Sequence, residues 1–305
     1  MIWSLVGNVV YHGFQEYFMN KIGFDEMKNI GVIGAGVMGR GVVQCFAQKG
    51  FDVVVVDISD EILKKAGEEI FNSVRFQGFF NKSGDDPQKV LERIRFTTDY
   101  GMLEQSDFLV ENVPEQLEIK EGVYRKIDSV CQDNCVFAVN TSCVSITKIA
   151  SLTKRPEQVI GTHFMNPVPL KTTIEVIRGY HTSDETIQFT QDILGLIGKE
   201  CIIVNDFPGF VSNRISHLFM NEAAYVVQDG VASASDVDSI FKKCFGHKMG
   251  PLETADLIGL DTVMDSLKIL YDSYEDSKFR CCPLLKKMVD AGLLGKKAGE
   301  GFYKY

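Results

Sequence analysis

A chain of 305 residues, 45% hydrophobic and 24% charged, has the length of roughly two domains at about 150 residues each, and its composition excludes wholesale disorder. A formal net charge of -9 argues against a binder of phosphate backbones, whose affinity rests on lysines and arginines. A nucleotide cofactor is still permitted, because backbone N–H groups at one helix start suffice to hold it.

The eight cysteines include no zinc-type pair of CxxC motifs. Cys131 and Cys135 are one residue too far apart and Cys281-Cys282 is a vicinal pair, so no metal site is expected and the thiols read as reduced. The opening stretch Met1 to Val10 is apolar, yet it has neither the basic start of a signal peptide nor the length of a membrane span, and it is not an Arg-rich transit peptide. A cytoplasmic protein is expected, without membrane or nucleic-acid partners. Residues 1–26 carry no clear hydrophobic period and form an N-terminal extension. Either Met27 is the biological start, or the segment is an appendage that docks on the body or a partner.

From Asn29 short apolar runs alternate with helical stretches, the signature of βαβ units and a parallel sheet. The runs are Ile30 to Ile33, Val53 to Val56, Phe108 to Val110, Val136 to Val139 and Val159 to Thr162. Some 40 residues after Asp57 exceed what a crossover needs, so two long helices folded back on each other are expected, with their turn at Asn81 to Pro87. After Pro208-Gly209 helical spacing takes over: Val211 to Val231, Ser235 to Phe245, Leu252 to Tyr274 and Leu284 to Leu293. The expected fold class is α/β, a Rossmann-type doubly wound parallel sheet with a helical hairpin insertion over residues 27–207, followed by an all-α domain over 208–305.

Gly34-Ala-Gly36-Val37-Met38-Gly39 follows the first strand and opens a helix, matching G-x-G-x-x-G in its required setting. The first glycine allows the tight turn, the second a close approach of the pyrophosphate, and the third tight packing of helix on strand. Asp57, 23 residues after Gly34, ends the next strand, where a carboxylate accepts from the adenosine ribose hydroxyls. Its charge would repel a 2′-phosphate, and Ile58-Ser59-Asp60 offers no arginine, so NAD rather than NADP is the expected cofactor. The duller reading of Asp57 is a cap on the following helix.

Four polar residues stand where chemistry is expected: Ser142, His163, Glu175 and Asn213. Ser142 and His163 follow strands, at the carboxyl edge where open α/β sheets bind ligands. Oxidation of an alcohol needs a base for the hydroxyl proton, and imidazole titrates in the useful range. Glu175 would orient that ring, while Ser142 and Asn213 would donate to the oxygen that changes between hydroxyl and ketone. Taken singly, each has a plainer explanation: a loop serine, a core histidine, a surface charge in a strand and a helix-start residue.

With Val110-Glu-Asn-Val-Pro-Glu115, Lys120, Asn140-Thr-Ser142, the His163 segment, Pro208-Gly-Phe210, Asn213-Arg214, Gly250-Pro-Leu252 and Gly299-Glu-Gly-Phe-Tyr303, the chain resembles the L-3-hydroxyacyl-CoA dehydrogenase family from Met27 to Tyr305. The resemblance implies NAD-dependent interconversion of a 3-hydroxyacyl and a 3-ketoacyl thioester, with Ser142, His163, Glu175 and Asn213 as the active-site set. It implies cofactor contacts at Glu115 and Lys120, with Asn140 beside them, and a homodimer formed through the helical domain.

Family members that use coenzyme A carry basic residues in the helical hairpin, whereas Ile58 to Arg95 here holds seven basic and seven acidic residues. Phe76-Gln-Gly-Phe-Phe80 occupies part of the expected basic stretch, and the segment after His163 departs from the usual pattern. Two carriers are therefore open: CoA, held by lysines such as Lys64, Lys65 or Lys82, or an acyl carrier protein bearing a group such as a glyceryl thioester, as in polyketide extender-unit synthesis. Two other classes stand beside these: a non-catalytic structural homologue, and acyl transfer by Cys143 paired with His163.

Overall fold

The computed structural model describes residues 29–80 and 84–305. The extension over residues 1–26, the choice of Met27 as start, and part of the expected turn at residues 81–87 lie outside the described residues. The chain divides into two compact units, the first ending at Asp206 and the second running from Phe207 to Tyr305.

Valine and isoleucine dominate β1 (Asn29–Ile33) and β2 (Asp52–Val56), and branching at Cβ suits these residues to a strand covered on both faces. They continue into β3 (Ile94–Thr97), β4 (Phe108–Glu111), β5 (Val136–Asn140), β6 (Val159–His163), β7 (Thr173–Arg178) and β8 (Glu200–Asn205). The sheet order is β3-β2-β1-β4-β5-β6-β7-β8. Every neighbouring pair is parallel except β6 with β7. The order reverses between β1 and β4, which opens the crevice where doubly wound sheets bind dinucleotides.

Three of these strands, β3, β7 and β8, lie outside the five expected runs, and the antiparallel β7 departs from a purely parallel sheet. The helices of this unit are α1 (Val37–Gln48), α2 (Asp60–Phe80), α3 (Pro87–Leu91), α4 (Leu117–Val130), α5 (Ile146–Ala150) and α6 (Asp184–Leu196). The expected second long helix after Asp57 is only the five residues of α3, because the chain beyond Leu91 is drawn into the sheet as β3 beside β2. Phe46 of α1 and Phe108 of β4 anchor the core, with ring centroids 6.3 Å apart; each such buried ring contributes about 2–3 kcal/mol.

The second unit is helical: α7 (Ser212–Gln228), α8 (Ala234–Cys244), α9 (Pro251–Ile258), α10 (Leu260–Tyr274) and α11 (Pro283–Asp290). One continuous helix over 252–274 was the expectation, and it is broken at Gly259, whose φ of +105° no helix contains. The apolar spacing runs through this break, since both pieces bury one face in the same core with Leu252, Leu260 and Leu267.

Two buried aspartates explain the glycine motifs of this unit. Asp238 accepts from the Leu252 and Glu253 N–H groups at the start of α9 (2.9 and 2.8 Å) and from Tyr303 Oη at 2.6 Å. Asp256 accepts from Phe302 N and Tyr303 N at 3.0 and 2.9 Å, pinning the chain end. A Cβ on Gly250 would stand 2.2 Å from the Asp238 carboxyl, and one on Gly301 2.2 Å from Asp256 Oδ1. Gly301→Ala should therefore lower unfolding stability by about 1–3 kcal/mol. Gly122→Ala, on an exposed turn of α4 with nothing within 4 Å, should raise it by up to about 1 kcal/mol. Denaturant midpoints measure both, and an unchanged Gly301→Ala midpoint would contradict the clamp.

Candidate active site

The glycine loop is built as its sequence requires. Gly34 has φ +89°, and a Cβ there would lie 2.7 Å from the Asn112 carbonyl at the end of β4. At Gly39 a Cβ would stand 1.8 Å from the Gly34 carbonyl oxygen, so no side chain fits. Gly36 differs: it is the N-cap of α1 without a side-chain cap, and nothing lies within 4 Å of its missing Cβ. Val37 and Met38 begin the helix beside it. Open space against an uncapped helix start suits a pyrophosphate, which the first-turn N–H groups and the helix dipole would hold.

Asp57, just beyond β2, accepts from Ala35 N at 2.6 Å and from Ile58 N at 2.7 Å. It thus fixes the glycine loop, and each carboxylate oxygen keeps a lone pair for a ribose hydroxyl. The duller alternative, a cap on the next helix, is not its bond: Ser59 Oγ accepts from Glu61 N instead. These residues fit a bound NAD.

At the carboxyl edge of β6 the register pairs His163 with Glu175 of β7. Residues directly opposite on an antiparallel pair project to the same face, and His163 Nδ1 lies 2.8 Å from Glu175 Oε2. Both are buried, at 6% and 8% exposure, which overturns the reading of Glu175 as a surface charge. A carboxylate only accepts, so Nδ1 carries the proton and the neutral ring presents its lone pair at Nε2. Nε2 is 3.0 Å from Ser142 Oγ. Ser142, His163 and Glu175 thus form one hydrogen-bonded chain.

Glu115 shapes the loop that carries Ser142. Its Oε1 accepts from Thr141 Oγ1, from Ser142 N at 2.8 Å and from Cys143 N at 2.9 Å. Lys120 on α4 is fully buried, with its Nζ 3.0 and 2.9 Å from the two oxygens of Glu111, 3.1 Å from the Asn140 carbonyl and 3.6 Å from Glu115 Oε2. The Asn140 side chain ties strand ends together, donating to Asn112 Oδ1 at 2.7 Å and accepting from Phe164 N at 3.3 Å. Asn213 belongs to the second unit, in the first turn of α7.

Glu111 is a residue that sequence reasoning passed over. A charge closing an otherwise apolar strand, nine residues before a lysine, was the available signal. Beyond His163, a cleft of about 180 Å³ is lined by Val37, Arg40, Gln44, Ser73, Asn166 and Pro169. Lys199 holds the far side of that loop, donating to the Val168 carbonyl at 2.6 Å.

Comparison with known proteins agrees with this geometry. The model of the 3-hydroxyacyl-CoA dehydrogenase NAD-binding domain matches residues 29–207, and that of the same family's C-terminal domain matches 209–305. A probable 3-hydroxybutyryl-CoA dehydrogenase of Deinococcus radiodurans is 47% identical over 90% of this chain and 99% of its own. One from Bacillus subtilis is 41% identical over 92% of this chain and 98% of its own. The crystal structure of (S)-3-hydroxybutyryl-CoA dehydrogenase from Ralstonia eutropha superposes with a TM-score of 0.89 at 39% identity, covering 92% of this chain and 99% of that one.

The chain belongs to the 3-hydroxyacyl-CoA dehydrogenase family, and its first unit is that family's NAD-binding domain. If the space at Gly36 receives the pyrophosphate, Gly36→Val should keep the unfolding midpoint but weaken NADH binding by about tenfold or more. Fluorescence titration measures this, and an unchanged dissociation constant would refute the placement.

Proposed function

We propose that this protein oxidises a 3-hydroxyacyl-CoA to the 3-ketoacyl-CoA with NAD, and runs the reverse reaction when the ratio of reactants favours it. The observation that carries the reading is the hydrogen-bonded chain Ser142–His163–Glu175 at the carboxyl edge of a sheet that also carries a dinucleotide cradle. Bound NAD supplies the hydride acceptor. His163 Nε2 takes the proton of the substrate hydroxyl as the C3 hydride departs, and Glu175 stabilises the imidazolium that results.

Ser142 Oγ, beside the same nitrogen, donates to the oxygen as it becomes a carbonyl, and Asn213 is assigned the second donor. In the reverse direction the imidazolium returns its proton to that oxygen. Asp57 receives the adenosine ribose, Gly34 to Gly39 the pyrophosphate, and Glu115 and Asn140 are assigned to the wall towards the nicotinamide, with Lys120, which has no exposed surface, behind them. The fingerprint domain is assigned residues 27–207 and the helical domain 208–305. The helical unit, which exposes Ile215, Val231, Ile240, Phe245 and Leu257 one by one, is assigned the homodimer interface on the strength of the family resemblance.

Coenzyme A is the proposed carrier because relatives at 47% and 41% identity are named for CoA thioesters. The balanced charge of residues 58–95 is the observation that favours an acyl carrier protein instead. Turnover of one 3-hydroxyacyl group on both carriers, followed by NADH absorbance, separates them: efficient CoA turnover is expected, and a strong preference for the carrier protein would reverse the assignment.

His163→Gln should bind NADH normally yet lose kcat by about 10²–10⁴-fold. Glu175→Gln, which keeps the shape but not the charge, should lose a smaller share of kcat. Full turnover by His163→Gln would end the proposed base role.

A further inference from the structure

The Ser142–His163 contact rests on a network of charges that begins well below it. Glu111 closes β4 with its side chain completely buried. Its carboxylate accepts from Val113 N at 2.6 Å and holds both oxygens against Lys120 Nζ at 3.0 and 2.9 Å. Burial pushes the Glu111 carboxyl up from its ordinary range against the opposing pull of Lys120, and burial, with Glu111 second, holds the neighbouring Tyr124 hydroxyl well above its own.

From Lys120 two contacts lead outward: the Asn140 carbonyl at 3.1 Å, which fixes the end of β5, and Glu115 Oε2 at 3.6 Å. Glu115 in turn grips the backbone of Ser142 and Cys143 through its other oxygen. Ser142 Oγ then meets the ring.

We propose that Glu111 is a positioning residue of the reaction: through Lys120 and Glu115 it sets the Thr141–Cys143 loop, and so the hydrogen bond from Ser142 to His163. The inference rests on the reading of Ser142 and His163 given above. The physical reason is charge balance in a buried site. Lys120 is an ammonium with one carboxylate at 2.9 Å and a second at 3.6 Å, and a buried cation must be paired.

With Glu111 neutral, the remaining partner for that cation is Glu115. Drawn towards Lys120, Glu115 would release the Ser142 and Cys143 N–H groups. Ser142 Oγ would then move away from Nε2, and displacements of about 1 Å at a reacting centre cost on the order of 10²-fold in rate.

A double-variant cycle tests this with kcat as the readout. Ser142→Ala is expected to lower kcat by about ten- to a hundredfold, and Glu111→Gln by about tenfold. If Glu111 acts through Ser142, the protein carrying both changes should match Ser142→Ala to within about twofold, because the second change has nothing left to displace. Amide hydrogen exchange at Ser142 and Cys143 should quicken in Glu111→Gln.

If Glu111→Gln does not fold, the cycle is run with Glu111→Asp, which keeps the charge but draws it back from Lys120. Losses that multiply, or a Glu111→Gln protein with unaltered kcat, would overturn the proposal alone. A Ser142→Ala protein with full turnover would overturn the reading of the site as well.

Discussion

Strand β7 runs against β6, and the arrangement of the site depends on that reversal. In a sheet whose neighbours all run parallel, successive strands bring equivalent ends to the same edge. Here the amino-terminal half of β7 meets the carboxyl end of β6, and the register sets Glu175 opposite His163. An imidazole and a carboxylate twelve residues apart in sequence are thereby held 2.8 Å apart by backbone pairing. Their contact is as rigid as the sheet, and the ring's tautomer follows from it.

Much of this was legible beforehand, for reasons that are local. The glycine fingerprint is a backbone requirement, visible as residue type at Gly34 and Gly39, and Asp57 sits at a fixed distance along the same βαβ unit. What was hidden is non-local. β3, β7 and β8 are recognised as strands only by their neighbours: Glu200 to Asn205 is half exposed along an edge, and Thr173 to Arg178 carries a carboxylate in its centre. The break at Gly259 was hidden by apolar spacing that both helices share. Glu111 looked like one more acidic residue of a motif, because only the fold brings Lys120 over it.

The acidic excess of the chain has a structural counterpart. Asp57, Glu115, Asp238 and Asp256 each receive backbone N–H groups. Asp206 receives Thr147 N at 2.7 Å together with the hydroxyls of Ser145 and Thr147. A short carboxylate side chain, ionised at neutral pH, is a strong acceptor for donors that a turn or helix start leaves unpaired. In these places negative charge fixes loop geometry. The composition that spoke against phosphate-backbone binding thus also records how the loops around the site are held.

The saturation of Glu115 has a consequence for the loop above it. Three donors converge on its Oε1, and its Oε2 faces an ammonium. A side-chain hydroxyl and two successive backbone N–H groups thus share one acceptor atom. The loop that carries Ser142 therefore hangs from a single oxygen atom, and no displacement of that atom leaves its three residues where they were.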